Sequence, residues 1–371
     1  MNTRERVLNI LRYQPVDRLP AIWFGSWNEL LVEWAEQGHL SMELARAWGD
    51  GNDADKEIMA RLGFEYNWQN VPGPASGLWP GFEREVVARE PDGFVLVRNG
   101  EGVIERLREG AGSIPGEVDW LLKDRESFEA LFRDKLVFRE ERVNLEGIRW
   151  HVAANPPGDP IGIHCGSVLG NLRNVMTVMG MSYLLADDYE LVREMIALLA
   201  DTVYESVRRV LESGLRFDYG HFWEDICFKN GPLIPPDMFA DLCGPHYRRM
   251  TDLLRQHGID LVSLDCDGKI DELLPIWLEN GVTVMFPIEV GTWRASLIPW
   301  REQYGRRLLG VGGMDKTVLR EDRAAVDAEL ERLRPQVALG GFIPCPDHSL
   351  MPGTKFELVQ YYAERIRSMP V

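Results

Sequence analysis

Apolar residues in this chain are grouped in short runs, each ending in polar or glycine residues and followed by a segment with helical periodicity. Residues 188–214, for example, carry apolar side chains three or four positions apart and end in glycine, as a helix C-terminus does. Strands that alternate with helices predict a parallel sheet, and eight such units predict a closed (β/α)8 barrel, the TIM barrel, of the α/β class. An open doubly wound sheet is the alternative. The eight predicted strand runs are LPAIWFG, GFEYNWQ, IGIHCGS, FDYGHFWED, IDLVSLDCDG, VTVMFPIEV, RRLLGVGGM and GFIPCPDH.

Residues 84–110 interrupt this alternation. Asp92-Gly93 and Asn99-Gly100 are turn dipeptides between runs rich in β-forming residues, a pattern that predicts a small antiparallel meander. We expect this meander to be an insertion between the second and third barrel strands. The whole chain, residues 1–371, is then a single barrel domain.

Composition limits the partners. Acidic residues outnumber basic ones by 58 to 41, a formal charge of −17, which argues against binding nucleic acid or an anionic membrane surface. No apolar run approaches the ~20 residues of a membrane span, and the N-terminus lacks a signal-peptide pattern. The five cysteines form no CxxC pair, which favours reduced thiols. We therefore expect a cytoplasmic protein, monomeric or homodimeric, that binds a small molecule.

Candidate chemistry lies at the ends of the predicted strands, where the active sites of (β/α)8 barrels are found. Each candidate also has a structural interpretation: a core histidine, a helix cap, or the turn that an Asp-Gly pair forms. The polar and aromatic residues at these ends are Trp27, Gln69, His164 with Cys165, His221 with Trp223, Glu224 and Asp225, Asp265 with Asp267, Glu289, Asp315 with Lys316, and Asp347 with His348.

The last strand delivers Cys345, Asp347 and His348 within four positions. Strand alternation places Cys345 and Asp347 on one face and His348 on the other. Because Pro346 and the following Pro352-Gly353 turn end the regular strand, His348 is free to swing toward the site. We expect His348 to be catalytic, Asp347 to orient it or a neighbour, and Cys345 to pack as a small apolar residue.

Several motifs together resemble the uroporphyrinogen decarboxylase superfamily, along nearly the whole chain and in the same order. They are RERVLNILRYQPVDRLPAIW, DICFKNGPLIPPDMF, LVSLDCDGKIDELLPIWLENGVTVMFPIE, GGMDKTVL and GGFIPCPDHSLMP. The resemblance implies a (β/α)8 barrel and one of two chemistries: decarboxylation of porphyrinogen acetates, or methyl transfer between corrinoid carriers and small acceptors such as thiols or folate. The long form with a meander is more similar to the decarboxylase-like and methyltransferase branch.

Two departures from the superfamily patterns bear on that choice. The decarboxylases carry an arginine-rich segment after the first strand, whereas residues 24–34 here (FGSWNELLVEW) contain no arginine. The zinc methyltransferases use a His-x-Cys pair and a later cysteine, where this chain has Asp265 and Asp267, then Asp347 or His348. Oxygen and nitrogen donors still suit Zn²⁺ or a harder divalent ion.

The resulting prediction is a methyltransferase that acts on a small polar or cationic substrate or on a corrinoid-bound methyl group, with the corrinoid on a partner protein. The alternatives are a porphyrinogen carboxy-lyase and a non-catalytic ligand-binding barrel. A divalent metal held at the barrel mouth would act as a Lewis acid; without a metal, His348 would be the general acid or base. The predicted residues are His348, Asp347 and His164 for catalysis, Trp27, His221, Trp223, Asp225 and Glu289 for substrate binding, and Glu224, Asp265, Asp267 and His348 for the metal.

Overall fold

The computed structural model of the chain describes residues 1–69, 71–108 and 115–370. The strands in these residues are β1 (Ile22–Trp23), β2 (Tyr66–Asn67), β3 (Glu85–Arg89), β4 (Phe94–Arg98), β5 (Val103–Arg108), β6 (Gly116–Trp120), β7 (Gly162–His164), β8 (Tyr219–Trp223), β9 (Cys227–Phe228), β10 (Gly231–Pro232), β11 (Leu261–Asp265), β12 (Val284–Ile288), β13 (Leu309–Met314) and β14 (Phe342–Pro346).

Helices connect most of these strands. They are α1 (Thr3–Leu11), α2 (Asn28–Glu36), α3 (Met42–Ala47), α4 (Asp53–Leu62), α5 (Arg125–Ser127), α6 (Arg133–Leu136), α7 (Leu145–Ala154), α8 (Gly170–Asp187), α9 (Tyr189–Glu212), α10 (Pro236–Gln256), α11 (Leu274–Glu279), α12 (Leu297–Tyr304), α13 (Arg323–Ala338) and α14 (Phe356–Arg367). Helix α4 shows how the sequence sets these bounds. The Asn52 side chain accepts a hydrogen bond from the Asp55 N–H at its start, and Gly63 takes the left-handed conformation at its end.

The central sheet is parallel, which confirms the predicted α/β class. Six strands pair in the order β14-β13-β12-β11-β8-β7, and β1 pairs with β2 in a separate parallel sheet. Each of the eight predicted apolar runs contains one of these eight strands. Strands β11, β12, β13 and β14 are buried along their whole length, because helices cover a parallel sheet and leave neither face to water.

Backbone hydrogen bonds join the two parallel sheets at both edges. Beyond β1 and β14, the Trp27 N–H donates to the Leu350 carbonyl at 2.9 Å, and the Leu350 N–H donates to the Gly25 carbonyl at 3.0 Å. At the other edge, the N–H of His164, the last residue of β7, donates to the carbonyl of Pro72, beyond β2, at 2.9 Å. The carboxyl ends of all eight parallel strands are therefore linked to one another.

A four-stranded sheet, separate from the two parallel sheets, lies between β2 and β7 in sequence. It is antiparallel, with strand order β3-β4-β5-β6. The meander predicted at residues 84–110 coincides with its first three strands, but residues 109 and 110 lie outside the described residues. The sheet continues with β6, beyond the predicted limit. The edge strand β3 exposes Val86 and Val87.

No helix in the described ranges is long and apolar enough to cross a membrane. All five cysteines are buried and unpaired. Cys345 is fully buried in β14, in the core position expected of it.

Candidate functional site

Polar residues at the carboxyl ends of the parallel strands meet at a contact between His348 and Asp267. Nε2 of His348 lies 2.9 Å from Oδ2 of Asp267. His348 follows β14 and Asp267 follows β11, and two other strands lie between β14 and β11 in the sheet. The contact therefore spans the carboxyl edge of the sheet instead of joining neighbouring strands. The sequence predicted this approach of His348 to the acidic pair after β11.

Aromatic side chains fix the orientation of the imidazole. The ring of Phe24 stacks on His348 with centroids 5.1 Å apart, and it also stacks on Phe286 at 4.9 Å. Phe24 and Phe286 are buried, whereas a quarter of the His348 side chain (25%) remains exposed. The imidazole is thus held between an aromatic stack and a carboxylate, with one side open to an incoming molecule.

This environment favours the protonated imidazole. Burial lowers the pKa of His348, but the hydrogen bond to Asp267 and the charge of that carboxylate together raise it by more, so the net pKa lies above its ordinary value. Lys316 opposes this shift through its positive charge. A histidine with these neighbours can donate a proton near neutral pH.

Three further carboxyl groups surround the pair. Burial and the nearby charge of Asp267 raise the pKa values of Asp225 and Glu289, and they raise the pKa of Asp265 well above its usual range. Oδ2 of Asp265 accepts a hydrogen bond from Nε2 of Gln69 at 2.9 Å, and Oε2 of Glu289 accepts one from the Gly268 N–H at 2.6 Å. The site is acidic, and its carboxyl groups hold protons more strongly than exposed ones do.

Asp225 reaches the site through an unusual backbone. Its φ is +53°, a left-handed conformation that is uncommon for residues other than glycine. In this conformation Oδ1 of Asp225 accepts a hydrogen bond from the Asp267 N–H at 3.2 Å, and its carbonyl accepts one from Nη2 of Arg173 at 2.8 Å. Such conformations cost energy and cluster at functional sites, so this one supports a functional role for Asp225.

Lys316 also faces the site, although the sequence assigned it no role. Its ammonium group has no hydrogen bond or ion pair within the described part of the chain. Burial lowers the pKa of Lys316, while Asp347, Glu289 and Asp267 raise it by their charge to a smaller extent. Its position after the end of β13, next to Asp315, is the sequence feature that could have indicated a place in the site.

Glu224, a predicted metal ligand, lies elsewhere. Its side chain is fully buried, and its two carboxylate oxygens accept five hydrogen bonds. Three of the donors are backbone N–H groups around the start of α8, where a side chain on Gly170 would collide with the Glu224 carbonyl oxygen at 1.9 Å. This carboxylate fastens β8 to α8 instead of facing His348. The donors are the N–H groups of Val168, Leu169 and Gly170 and the hydroxyls of Ser167 and Tyr247.

Asp347, a predicted catalytic residue, contacts backbone instead of His348. Oδ2 accepts hydrogen bonds from the N–H groups of Val290 at 2.8 Å and Gly291 at 2.7 Å, and Oδ1 accepts one from the Lys316 N–H at 3.2 Å. This buried carboxylate ties together the loops that follow β12, β13 and β14. The residue that contacts the His348 ring nitrogen is Asp267.

His164, which is partly exposed, and His221, which is buried, form a separate pair with ring centroids 6.4 Å apart. Burial lowers the pKa of His164 to about 4 and that of His221 to about 3, so both are neutral at physiological pH. Nδ1 of His164 accepts a hydrogen bond from the Gly166 N–H at 3.0 Å, whereas Nδ1 of His221 has no partner among the described residues. The predicted substrate residue Trp223 lies near the Arg173 guanidinium, 5.8 Å from the ring centroid.

An open pocket of about 580 Å³ adjoins His348. Trp27, predicted to bind substrate, lies in its wall. The principal lining residues are Ser26, Trp27, Glu29, Val32, Trp48 and His348. This pocket leads from the surface to the one exposed side of the imidazole.

The four predicted metal ligands do not gather around one point. Within residues 1–69, 71–108 and 115–370, no three histidine, cysteine, aspartate or glutamate side chains are arranged to hold a metal ion. Glu224 is occupied by its five donors, and Nε2 of His348 contacts Asp267. As they are arranged here, these residues do not fit a metal centre.

Asp267→Asn is expected to lower the pKa of His348, because it removes the negative charge that offsets burial of the imidazole. NMR titration of the histidine ring signals measures this, with His348→Ala identifying the signal. Asp260→Asn, the same change at an exposed ion pair with Arg12, is the control and should leave the titration unchanged. An unaltered His348 titration in Asp267→Asn would contradict the assignment.

The same pair makes stability depend on pH. Because the folded pKa of His348 lies above its unfolded value of ~6.5, the contribution of the pair is fully present below that pH. It is lost as the pH rises through the folded pKa. Asp267→Asn should remove this part of the pH dependence.

A His–Asp pair among carboxyl groups at the carboxyl edge of a parallel sheet is typical of an α/β enzyme. The model of the uroporphyrinogen decarboxylase (URO-D) family matches residues 139–369. The chain therefore belongs to the uroporphyrinogen decarboxylase family, which confirms the resemblance seen in the sequence.

One solved structure shares this fold. A methyltransferase from Methanosarcina mazei superposes with a TM-score of 0.63 at 16% identity, covering 99% of this chain and 98% of that one. A Listeria monocytogenes protein described as a vitamin-B12-independent methionine synthase gives a TM-score of 0.42 at 11% identity, with 95% and 96% coverage. A comparison with curated protein sequences finds no match to this chain.

Proposed function

We propose that this member of the URO-D family is a methyltransferase that acts on a small polar substrate at the His348–Asp267 pair. A corrinoid on a partner protein would supply or accept the methyl group. The observation that carries the proposal is the placement of the His348–Asp267 contact among further carboxyl groups, with Asp225 accepting a hydrogen bond from the Asp267 N–H and Glu289 accepting one from the Gly268 N–H. The shared fold of the Methanosarcina mazei methyltransferase is compatible with it.

Such a site is a poor receptor for a porphyrinogen. That substrate carries up to eight carboxylates, and an acidic mouth repels them by several kT. Lys316 and Arg173 contribute positive charge, but each faces carboxylates of the site. The first parallel strand is followed by residues 24–34, which contain no arginine to neutralise a polyanion.

The architecture we infer is the (β/α)8 barrel, with the antiparallel sheet as an insertion between its second and third strands. The backbone hydrogen bonds at both edges of the two parallel sheets support closure. So does the contact between His348 and Asp267, since residues after non-neighbouring strands can meet across the mouth of a barrel.

In this proposal His348 is the general acid. As the bond between the methyl carbon and a substrate heteroatom breaks, the carbon bonds to the incoming nucleophile and the heteroatom takes the imidazolium proton. Asp267 stabilises the imidazolium and fixes its tautomer, and solvent returns the proton. The side chains of His348 and Asp267 are 25% and 31% exposed, which leaves the pair accessible to a carrier bound on another protein.

Two assays test the proposal. Purified protein is incubated with uroporphyrinogen, and we expect no decarboxylated product; turnover at ~1 s⁻¹ or faster would refute the assignment. In the second assay the absorbance of cob(I)alamin is followed with methylated amines, ethers and thioethers. We expect methylation with at least one class, dependent on His348.

A further inference from the structure

We propose that the pocket beside His348 recognises one class of substrate, a methylated ammonium cation that also carries a hydrogen-bonding group. This inference rests on the proposed function and names the substrate for it. Three features of the pocket support it. They are the indole walls of Trp27 and Trp48, the hydroxyl of Ser26, which has no hydrogen-bond partner among the described residues, and the carboxylate of Glu29, in a pocket whose described lining contains no lysine or arginine.

The walls of the pocket are apolar and held in place. Trp27, Trp48 and Val32 line it. Nε1 of Trp48 donates a hydrogen bond to Oδ1 of buried Asp55 at 2.8 Å, which fixes the indole before any ligand arrives. The backbone of Trp27 is held by its N–H, which donates to the Leu350 carbonyl. Rigid indoles suit N-methyl groups, which are apolar and carry the spread positive charge that aromatic faces attract.

Ser26 indicates that the ligand has a polar group as well. This residue lines the pocket and is only 3% exposed. Its hydroxyl has no hydrogen-bond partner in the part of the chain that the structure describes. A buried hydroxyl without a partner is costly, and a ligand that supplies the missing hydrogen bond recovers that cost.

The charge of the pocket selects a cation. Glu29 lines it, none of its described lining residues is a lysine or arginine, and the positive charge of protonated His348 is balanced by the Asp267 carboxylate in contact with it. Glu29 lies in the first turn of α2, whose N-terminus carries about half a positive charge. The full negative charge of Glu29 outweighs that partial charge.

The reaction balances for such a substrate. The bond between nitrogen and one methyl carbon breaks, and its electron pair stays on nitrogen. The methyl carbon would bond to the nucleophile that a corrinoid on a partner protein supplies. The departing tertiary amine, now basic, takes the proton of the His348 imidazolium, and solvent reprotonates the imidazole.

Calorimetric titration of the full chain tests the charge requirement directly. Choline and 3,3-dimethylbutan-1-ol are matched probes, since they share shape and hydroxyl group but differ by the positive charge. We expect choline to bind at least tenfold more tightly. Equal affinities would overturn the inference, as would tighter binding of the neutral probe.

Variants locate the binding. Glu29→Gln should reduce the preference for choline severalfold, whereas Glu36→Gln, at the exposed far end of the same helix, should leave it unchanged. Ser26→Ala should weaken choline but not tetramethylammonium, which has no hydroxyl, and should not reduce stability. If Ser26→Ala weakens both cations equally, the hydroxyl has no role in recognition.

The two proposals fail separately. If choline binds as described but no methylated amine, ether or thioether methylates cob(I)alamin, the pocket assignment stands and the methyltransferase proposal falls. If ethers or thioethers are demethylated and choline does not bind, the methyltransferase stands and the substrate class is wrong.

Discussion

His348→Ala lowers kcat of the methyl-transfer reaction at least about a hundredfold and leaves KM within a few fold of wild type, because it removes the proton donor and no part of the indole walls. Proton transfer by a positioned side chain contributes this much in other enzymes. The fold should be retained, because His348 lies after the end of β14 and its side chain is a quarter exposed. Steady-state kinetics and circular dichroism measure the two effects.

Cys345→Ala is the matched control for His348→Ala. Cys345 lies three positions earlier in the chain, within β14. The thiol is buried, and burial raises its pKa well above the usual range, so it stays protonated and unreactive. This variant should keep activity within threefold of wild type. A His348→Ala enzyme that retains a third of its activity would remove His348 from the chemistry.

Glu224→Ala is expected to lower the free energy of unfolding by at least about 3 kcal/mol, measured by urea denaturation. The substitution leaves five buried donors without their acceptor, and each unsatisfied group costs about 1–3 kcal/mol before the structure relaxes. Some donors will find water, which is why the expectation lies well below the sum.

Tyr247→Phe tests whether the loss of stability comes from the hydrogen bonds to the Glu224 carboxylate or from any change in the core. It removes one of the five donors and keeps the ring, so we expect a loss of about 1–2 kcal/mol. If Glu224→Ala destabilises by less than 1 kcal/mol while abolishing binding of a divalent ion, then Glu224 is the metal ligand that the sequence suggested.

The parallel strands could be predicted from the sequence because burial on both faces imposes unbroken apolar runs. The prediction was weaker where local pattern carries less information. Strands β1 and β2 have only two residues each, far shorter than their apolar runs. The antiparallel sheet continues to Trp120, past the limit that the turn dipeptides indicated, since β6 has exposed side chains and no apolar alternation.

The functional residues show a similar limit. Glu224 and Asp225 are adjacent and chemically alike, yet the first binds the start of α8 and the second faces Asp267. The left-handed backbone at Asp225 separates their directions, and no side-chain pattern in the sequence encodes it. Asp347 and Asp267 were likewise both predicted to serve the site. Which of them contacts His348 depends on how the strand ends are arranged in space.

Asp347 anchors the loop after β12 by accepting hydrogen bonds from the main-chain N–H groups of Val290 and Gly291. Every residue except proline offers that N–H, so the identity of the side chain at position 290 does not affect the anchor. Natural variation or a directed-evolution library can therefore exchange this side chain while the loop keeps its course. Side-chain identity at position 290 and the placement of this loop are separable traits.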